Sequence, residues 1–481
     1  MGAGAWARPR PGAWRALPVA ALLVATTALV AANPTGHYGL VLAVVPFLAA
    51  AVHAVVGTAV VGALTVGAYV LVRHQLADDG VGVWLIKLAF VSSASVVAVL
   101  MAQARTRERA LSHSRELALA LQEGLLPQRL PSTSAVQVCH RYVPADTRAG
   151  VGGDWYDVIP LSGARVALVI GDVAGHGIHA AAMMGRLRTA VHTLADLELA
   201  PDEVLTRMDD LVAREGLSEE RYELAATCLY LVYDPVTARC TMAAAGQPPP
   251  AFLAPDGSLR FAPLPEHPPL GTGGTRFSSV DFPVLPDTVI ALYTDGLLDL
   301  RRDHTDTALT HLAETLSAGG RGLEEIADRV CASPHTTTDD DIALLLARTR
   351  TLPPSAVATW EFPAATRSVP RARAALAQQL RTWDLEELSF AAELAVTELF
   401  TNAVVHAGGP VTLRLIKDHA LICEVADSSS SAPRMRCAQP MDEGGRGLDL
   451  VSQVADRWGT RYTDTGKTIW IEQALPVGAR S

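Results

Sequence analysis

Between Ala16 and Val72 the chain holds no Asp, Glu, Lys or Arg, and apolar residues follow one another with few breaks. Leu17–Ala32 and Tyr38–Val72 are the two stretches of that region, and Val81–Ala102 is a third with Lys87 as its sole charge. A membrane span takes about 20 apolar residues, so Tyr38–Val72 divides best into two short spans that break near His53, giving four in all. Beyond Ala102 the pattern changes. Arg105–Leu126 is charged and rich in Ala and Leu, with Leu111, Leu117, Leu121 and Leu125 spaced for one helical face and Pro127 as a stop. Short apolar runs that meet a glycine or a charge cluster come next, among them Val166–Ile170 and Val289–Leu292, the mark of buried strands. Nearer the C-terminus, residues 389–407 read as a helix closed by Gly408-Gly409, Ala420–Ala426 as a strand, the segment through Trp458 as a helix and Thr468–Ile471 as a last strand. The expected fold class is multidomain: an α-helical transmembrane bundle followed by two α/β domains. Boundaries fall at 1–104 for the four-span region, 105–128 for a helical linker, 129–349 for the first α/β domain, 350–358 for a linker marked by Pro353-Pro354, and 359–476 for the second.

Charge then sets orientation. Arg8, Arg10 and Arg15 precede the first span and Arg105, Arg107 and Arg109 follow the last, which by the positive-inside rule leaves both ends in the cytosol. The expected location is the cell membrane, multi-pass, with the large domains in the cytoplasm. Reading Leu17–Ala32 as a cleaved signal peptide would leave three spans and export those domains. His53 is open to two readings, an intramembrane ligand-sensing group or a marker of the interface at a turn. The six cysteines form no CxxC pair, as suits reduced thiols in the cytosol. A net charge of −10 offers no basic surface for nucleic acid. The leucine seam suits either a homodimeric coiled coil or a passive stalk.

Four aspartate contexts carry the chemistry of the first α/β domain. They are Asp154 in Gly152-Gly153-Asp154-Trp155-Tyr156-Asp157, Asp172 in Gly171-Asp172-Val173-Ala174-Gly175-His176-Gly177, Asp295 in Tyr293-Thr294-Asp295-Gly296, and the run Asp339-Asp340-Asp341. Each stands where an apolar run ends, which is how a carboxylate is held at the rigid end of a strand. One Asp-Gly alone is a turn, and an Asp triplet alone is a solvated loop. Together they outline a site for hard divalent ions, Mn²⁺ or Mg²⁺, two of which can share a bridging water as nucleophile for in-line phosphate hydrolysis. With Pro248-Pro249-Pro250 and Pro268-Pro269-Leu270-Gly271 between them, these contexts resemble the PPM metal-dependent serine/threonine phosphatases, and within them the bacterial SpoIIE branch. The resemblance implies a β-sandwich flanked by helices and a two-ion site. Asp172 would be shared by both ions, with the Val173 carbonyl beside it and Asp154, Asp295 and Asp340 as further ligands. Asp340 is preferred to its neighbours because the closing motif is Asp-Asp followed by an apolar residue and a strand, here Asp340-Asp341-Ile342. His176 either protonates the leaving serine oxygen or caps the helix beginning near Ile178. Gln247 stands where the family commonly has His, and an amide cannot titrate.

In the second α/β domain Glu398, Asn402 and His406 recur every fourth position on one helix face, and Asp427 ends a strand. Gly444-Gly445-Arg446-Gly447-Leu448 opens a helix, where backbone N–H groups can receive phosphates. This set resembles the GHKL (Bergerat-type) ATP-binding sandwich, and within it the anti-sigma-factor serine kinases. The resemblance implies ATP with Mg²⁺: Asn402 on the metal, Glu398 orienting or deprotonating an attacking serine, Asp427 reading the adenine amino group, Gly445 and Gly447 shaping the phosphate loop. Ser428-Ser429-Ser430-Ser431-Ala432-Pro433 replaces the glycines that histidine kinases show after this Asp, so the lid over ATP is expected to be short or atypical. The combined expectation is a membrane-anchored phosphatase acting on phosphoserine or phosphothreonine of a partner-switching protein, an anti-anti-sigma antagonist. Its second module resembles the kinase that adds that phosphate, and a sigma factor is a further candidate partner. Competing readings make the GHKL domain the main actor, as a serine kinase or a nucleotide-sensing receptor. Neither site is expected to borrow a catalytic residue from the other.

Overall fold

The computed structural model describes residues 38–76, 80–127, 129–131, 133–144, 152–175, 177–218, 225–298, 304–320, 322–333, 340–429, 447–463 and 466–476, together with residues 24 and 28. His176, Gly445 and, but for those two positions, the expected span Leu17–Ala32 lie outside the described residues. The chain divides into residues 1–117 and 118–481.

In the first unit α1 (Tyr38–Val52) and α2 (Val55–Leu76) are separate helices, and the break between them falls at His53-Ala54. From Val81 a single helix, α3 (Val81–Leu125), runs through the apolar stretch and on through the charged one, so the expected linker helix is its continuation. The end of α1 leaves carbonyls without helical partners, and Arg105 Nη1 donates to Ala50 O at 2.5 Å. Hydroxyls turn back on their own helices, Thr58 to Ala54 O, Thr65 to Val61 O and Ser95 to Val91 O, which satisfies them where no water is at hand. Leu42, Val45, Ala49, Val61 and Val91 form a small core, while Val56, Leu64, Ile86, Phe90 and Leu100 are exposed. An apolar exterior of this kind is unfavourable in water and expected in lipid. Among the described residues two helices are long and apolar enough to cross a membrane, Val81–Arg109 and Glu386–His406, with Leu42–Val52 and Val55–Leu71 as shorter apolar helices. Of the long pair, the second packs in the core of the C-terminal domain.

The first α/β domain comprises β1 (Val136–Val143), β2 (Trp155–Pro160), β3 (Val166–Val173), α4 (Ile178–Asp196), α5 (Pro201–Ser218), β4 (Ala226–Asp234), β5 (Arg239–Ala245), β6 (Ala251–Leu253), β7 (Leu259–Phe261), β8 (Val280–Pro283), β9 (Val289–Tyr293), α6 (Thr305–Ser317), α7 (Leu323–Cys331) and β10 (Ile342–Thr349). Two five-stranded sheets, ordered β1-β10-β9-β6-β7 and β2-β3-β4-β5-β8, pack face to face. All described pairings are antiparallel, and β1 pairs along its whole length with β10, the last strand of the domain. Strand alternation explains the near-continuous apolar runs. In β3, Val166, Leu168 and Ile170 face the opposite sheet, whereas Ala167, Val169 and Val173 face α4 and α5. In β10, Ala343, Leu345 and Ala347 face inward, whereas Ile342, Leu344 and Leu346 pack on α6 and α7. A buried Leu or Ile contributes about 1.5–3 kcal/mol, so a polar substitution at Leu168 or Leu345 would be felt at once.

The second α/β domain is one sheet, β11 (Val357–Phe362), β12 (Val411–Lys417), β13 (Ala420–Asp427), β14 (Arg457–Thr463) and β15 (Gly466–Ala474), ordered β11-β12-β13-β15-β14. Its helices α8 (Ser368–Thr382), α9 (Ser389–His406) and α10 (Gly447–Val454) cover one face through Leu376, Leu399, Phe400 and Val451. Val357 and Ala358, expected in the linker, pair with Ile416 and Leu415 as the start of β11. Ile416 and Ile422 on the other face pack against Ala164 in the β2–β3 turn. Around them, Glu198 accepts from Ser162 N and Oγ at 3.0 and 2.9 Å and pairs with Arg165, while Arg461 reaches Ser162 Oγ and Glu424 Oε1, both at 3.2 Å. Burial alone would push Glu424 up, yet Arg461, Arg414 and Arg165 hold it below its ordinary value. The two α/β domains thus meet through a charge-compensated surface.

Candidate metal centre and nucleotide site

Alternation also decides which aspartates meet. Tyr156 and Val158 of β2, Leu168 and Ile170 of β3, Ile290 and Leu292 of β9, and Ala343 and Leu345 of β10 all face the space between the sheets. Continued one step beyond each strand's core, that parity reaches Asp154, Asp172, Thr294 and Asp341. The structure brings these four together at one end of the sandwich. Thr294 Oγ1 donates to Asp154 Oδ2 across the two sheets at 2.6 Å, and Tyr142 OH donates to Asp341 Oδ2 at 2.8 Å. Asp157 has the opposite parity and leaves the site: its Oδ2 takes Arg188 Nε at 2.6 Å and His192 Nε2 at 2.7 Å, tying β2 to α4.

Backbone space is as tight as the charges. A Cβ at Gly152 would stand 1.2 Å from Asp341 Oδ2, one at Gly153 2.0 Å from the Val173 carbonyl oxygen, and one at Gly296 1.9 Å from Asp341 O. The Gly-Gly before Asp154 and the Asp-Gly at Asp295 are therefore close approaches of chain to chain. Val173 N donates to Gly153 O at 3.2 Å, which fixes the Val173 peptide beside Asp172. Asp340 is exposed and turns Oδ1 back to the Asp341 N–H at 2.9 Å, while Asp341 is buried. Asp341, Thr294 and Tyr142 are site residues the motif reading passed over. Gln247 Nε2 donates to Thr227 Oγ1 at 2.9 Å, and Thr227 lies opposite Asp172 in the ladder.

Burial, then the Asp172 charge, pushes Asp154 well above the usual carboxylate range. Burial also pushes Asp172 up to about 7, against the lowering effect of its hydrogen bond with Asp154, and Asp295, Asp340 and Asp341 add to the rise. Asp295 is raised by burial and by Asp340. Converging carboxylates that raise one another in this way are relieved by cations. Among the described residues no three His, Cys, Asp or Glu side chains close on a single ion position. Mg²⁺ takes one or two carboxylates and completes its shell with water, so an all-oxygen donor set of this kind fits hard divalent cations. The cation must then displace the proton of Asp172. Asp154 is raised as well, so metal affinity is expected to rise by at least about tenfold per pH unit between pH 5.5 and 6.5. Calorimetric titration of Mn²⁺ at pH 5.5, 6.5 and 8 checks this, and equal affinities at pH 5.5 and 6.5 would contradict it.

In the second domain Glu398 and Asn402 are half-buried and His406 is exposed along α9. Neither Glu398 nor Asn402 makes a side-chain hydrogen bond among the described residues, which leaves both available to a ligand. Asp427 ends β13, and Ser428 Oγ would stand 2.7 Å from a Cβ at Gly409, so that strand end lies against the loop that follows α9. Gly447 opens α10, which packs on α9. Lys467, unremarked in the sequence, is buried and donates to Asp427 Oδ1 at 3.0 Å.

Residues 162–350 match the family described as Stage II sporulation protein E (SpoIIE), and residues 362–472 match the histidine kinase-like ATPase domain. The phosphoserine phosphatase RsbP of Bacillus subtilis (strain 168) is 26% identical over 248 residues, 49% of this chain and 58% of that protein. Protein IcfG of Synechocystis sp. is 25% identical over 233 residues, 43% of this chain and 36% of that one. The chain thus aligns with less than two thirds of either relative. Among solved structures, the RsbU and RsbW domains of Rv1364c from Mycobacterium tuberculosis align at 23% identity and a TM-score of 0.42, covering 73% of this chain and 98% of that one.

Proposed function

We propose that this chain, which carries a SpoIIE domain followed by a histidine kinase-like ATPase domain, is a membrane-anchored, metal-dependent phosphatase. Its substrate in this reading is phosphoserine or phosphothreonine of a partner-switching regulator of the anti-anti-sigma type. The observation that carries the reading is the convergence of the inward-facing carboxylates Asp154, Asp172 and Asp341, each at a strand end, at one end of the sandwich, with Asp154 and Asp172 both raised. Asp154, Asp172, Asp295, Asp340 and the Val173 carbonyl would hold two Mn²⁺ or Mg²⁺ ions, with Asp341 placed beside them. When bound, such ions supply a nucleophilic water and neutralise charge on the transferring phosphoryl group. The chain's own residues do the rest. Thr294 orients Asp154, Tyr142 orients Asp341, and the Gly152-Gly153 turn lets their backbones close up. His176, flanked by glycines, is assigned the proton for the leaving serine oxygen. Phosphate release from phosphoserine peptides by the full chain, with and without Mn²⁺, tests the reading, and metal-independent or absent release would overturn it.

The ATPase domain would hold Mg²⁺·ATP through Asn402, with Asp427 on the adenine and Gly445 and Gly447 at the phosphates. The unengaged Glu398, one turn from Asn402 on α9, favours a second activity as a serine kinase acting on the same antagonist. Transfer of labelled phosphate from ATP to an antagonist serine decides the matter, and its absence with every antagonist tried would leave nucleotide sensing as the role. The apolar exterior of α1 to α3, with Leu17–Ala32 before them, supports a multi-pass anchor whose two ends lie in the cytosol. A reporter fused after Ser481 that reads outside the cytosol would refute that topology.

A further inference from the structure

The cross-strand register sets Asp427, the last residue of β13, directly opposite Lys467 near the start of β15. Both side chains are almost fully buried, Lys467 at 6% and Asp427 at 2% exposure. Lys467 Nζ donates to Asp427 Oδ1 at 3.0 Å and to Ser429 O at 3.4 Å, and the Ser429 N–H donates to the same Oδ1 at 2.8 Å. The turn is also clamped from outside. A Cβ at Gly466 would stand 1.9 Å from Asp427 O, so β15 approaches the Asp427-Ser428 backbone as closely as glycine allows. Two donors therefore converge on Oδ1, and among the described residues Oδ2 receives none. A buried carboxylate with one oxygen spoken for and its charge compensated is fixed in orientation, with one acceptor left to offer.

We infer that Lys467 is a positioning residue for nucleotide recognition, holding Asp427 so that Oδ2 accepts a hydrogen bond from the exocyclic 6-amino group of adenine. The inference rests on the reading that this domain binds ATP and adds a residue that decides which base enters. A purine with a carbonyl at position 6 meets the carboxylate oxygen with another acceptor and is refused, because an acceptor facing an acceptor leaves both desolvated and unpaired. Without the ammonium, Asp427 loses both its compensating charge and the contact to Ser429 O that shapes the turn. The carboxylate is then free to rotate or draw in water, and discrimination at the 6-position goes with it.

The test compares Mg²⁺·ATP with the triphosphate of purine riboside, which lacks the 6-amino group, by calorimetry on the full chain in detergent micelles. The wild type should bind ATP about tenfold or more tightly than the analogue, the range for one well-placed hydrogen bond to a charged group. In Lys467→Met the ATP affinity should fall to that of the analogue, bringing the ratio near one. Lys467→Gln keeps a donor for Oδ1 but no charge and should give an intermediate ratio. That variant carries the test if Lys467→Met does not fold, which loss of the ATPase domain's cooperative thermal unfolding transition in the same preparation would reveal. An unchanged ratio in the variants, or affinities for both ligands falling by one common factor, would overturn the role given to Lys467. Failure of the wild type to bind either nucleotide would instead overturn the ATP-binding reading beneath it.

Discussion

The Asp172→Asn protein is expected to lose phosphopeptide hydrolysis by on the order of 10³-fold or more, yet to melt at a higher temperature than the wild type when both are metal-free at pH 8. Asparagine matches aspartate in size and leaves the ladder to Thr227 and the packing of β3 intact. It removes one charge from the cation site, and with it the carboxylate assigned to both ions. The stability effect follows from the raised value of Asp172, about 7 in the fold against about 3.9 for an unfolded aspartate. Ionisation is disfavoured in the folded state, so its destabilising effect is absent below pH 4, grows between pH 4 and 7 and is constant above. The variant never ionises and escapes it. Differential scanning calorimetry should therefore find the variant's advantage at pH 8 and none at pH 4. Saturating Mn²⁺ should reverse the order, because only the wild type gains the stabilisation of tight binding. Retention of most activity, or a lower melting temperature for the metal-free variant at pH 8, would sink the assignment.

A second large effect is expected from the smallest substitution available, Gly152→Ala. The added methyl would fall 1.2 Å from Asp341 Oδ2 and 2.3 Å from its Cγ. Asp341 can retreat only by giving up the hydrogen bond from Tyr142, and its backbone is held where Gly296 lies against its carbonyl oxygen. Either the Asp341 carboxylate leaves its place or the turn gives way, and the turn carries Asp154 in the next peptide but one. A displacement of about 1 Å at a reacting centre lowers turnover by about 10²-fold, and that is the loss expected in kcat. Gly216→Ala serves as the control: it sits in α5 with nothing within 4 Å of its added Cβ and should leave kcat unchanged while adding about 0.5–1 kcal/mol of stability. If Gly152→Ala hydrolyses phosphopeptide at the wild-type rate, the close packing of the two strand ends has no part in the site.

Much of this was legible because strand periodicity is local. The break at His53, the helix stop at Gly408-Gly409 and the placing of carboxylates at strand ends all follow from patterns a few residues long. The same alternation that makes Val166–Val173 read as uniformly apolar also assigns Asp172 to the inner face. Applied to β10, it would have marked Asp341 rather than Asp340 as the inward residue of the triplet, a signal the motif comparison masked. Contacts that depend on register between distant segments left no such trace. Lys467 meets Asp427 only because β13 and β15 pair in one particular register. Likewise Ser162, Glu198, Glu424 and Arg461 look like ordinary surface residues in sequence and become a buried set only when the two α/β domains meet.

The pairing of β1 with β10 has a consequence for biosynthesis. A ribosome delivers the first strand of the first α/β domain long before its partner, and Asp154 and Asp172 emerge well ahead of Asp295 and Asp341. Until Thr349 clears the exit tunnel, β1 is an unpaired edge and the sandwich cannot close, which is the interval in which such chains aggregate or are bound by chaperones. By then the apolar helices at the N-terminus have long been available for insertion. On the proposed membrane-anchored phosphatase reading, a nascent chain would therefore be moored at the bilayer as an inert precursor, and a transcript truncated before β10 would yield an anchored protein without hydrolytic capacity.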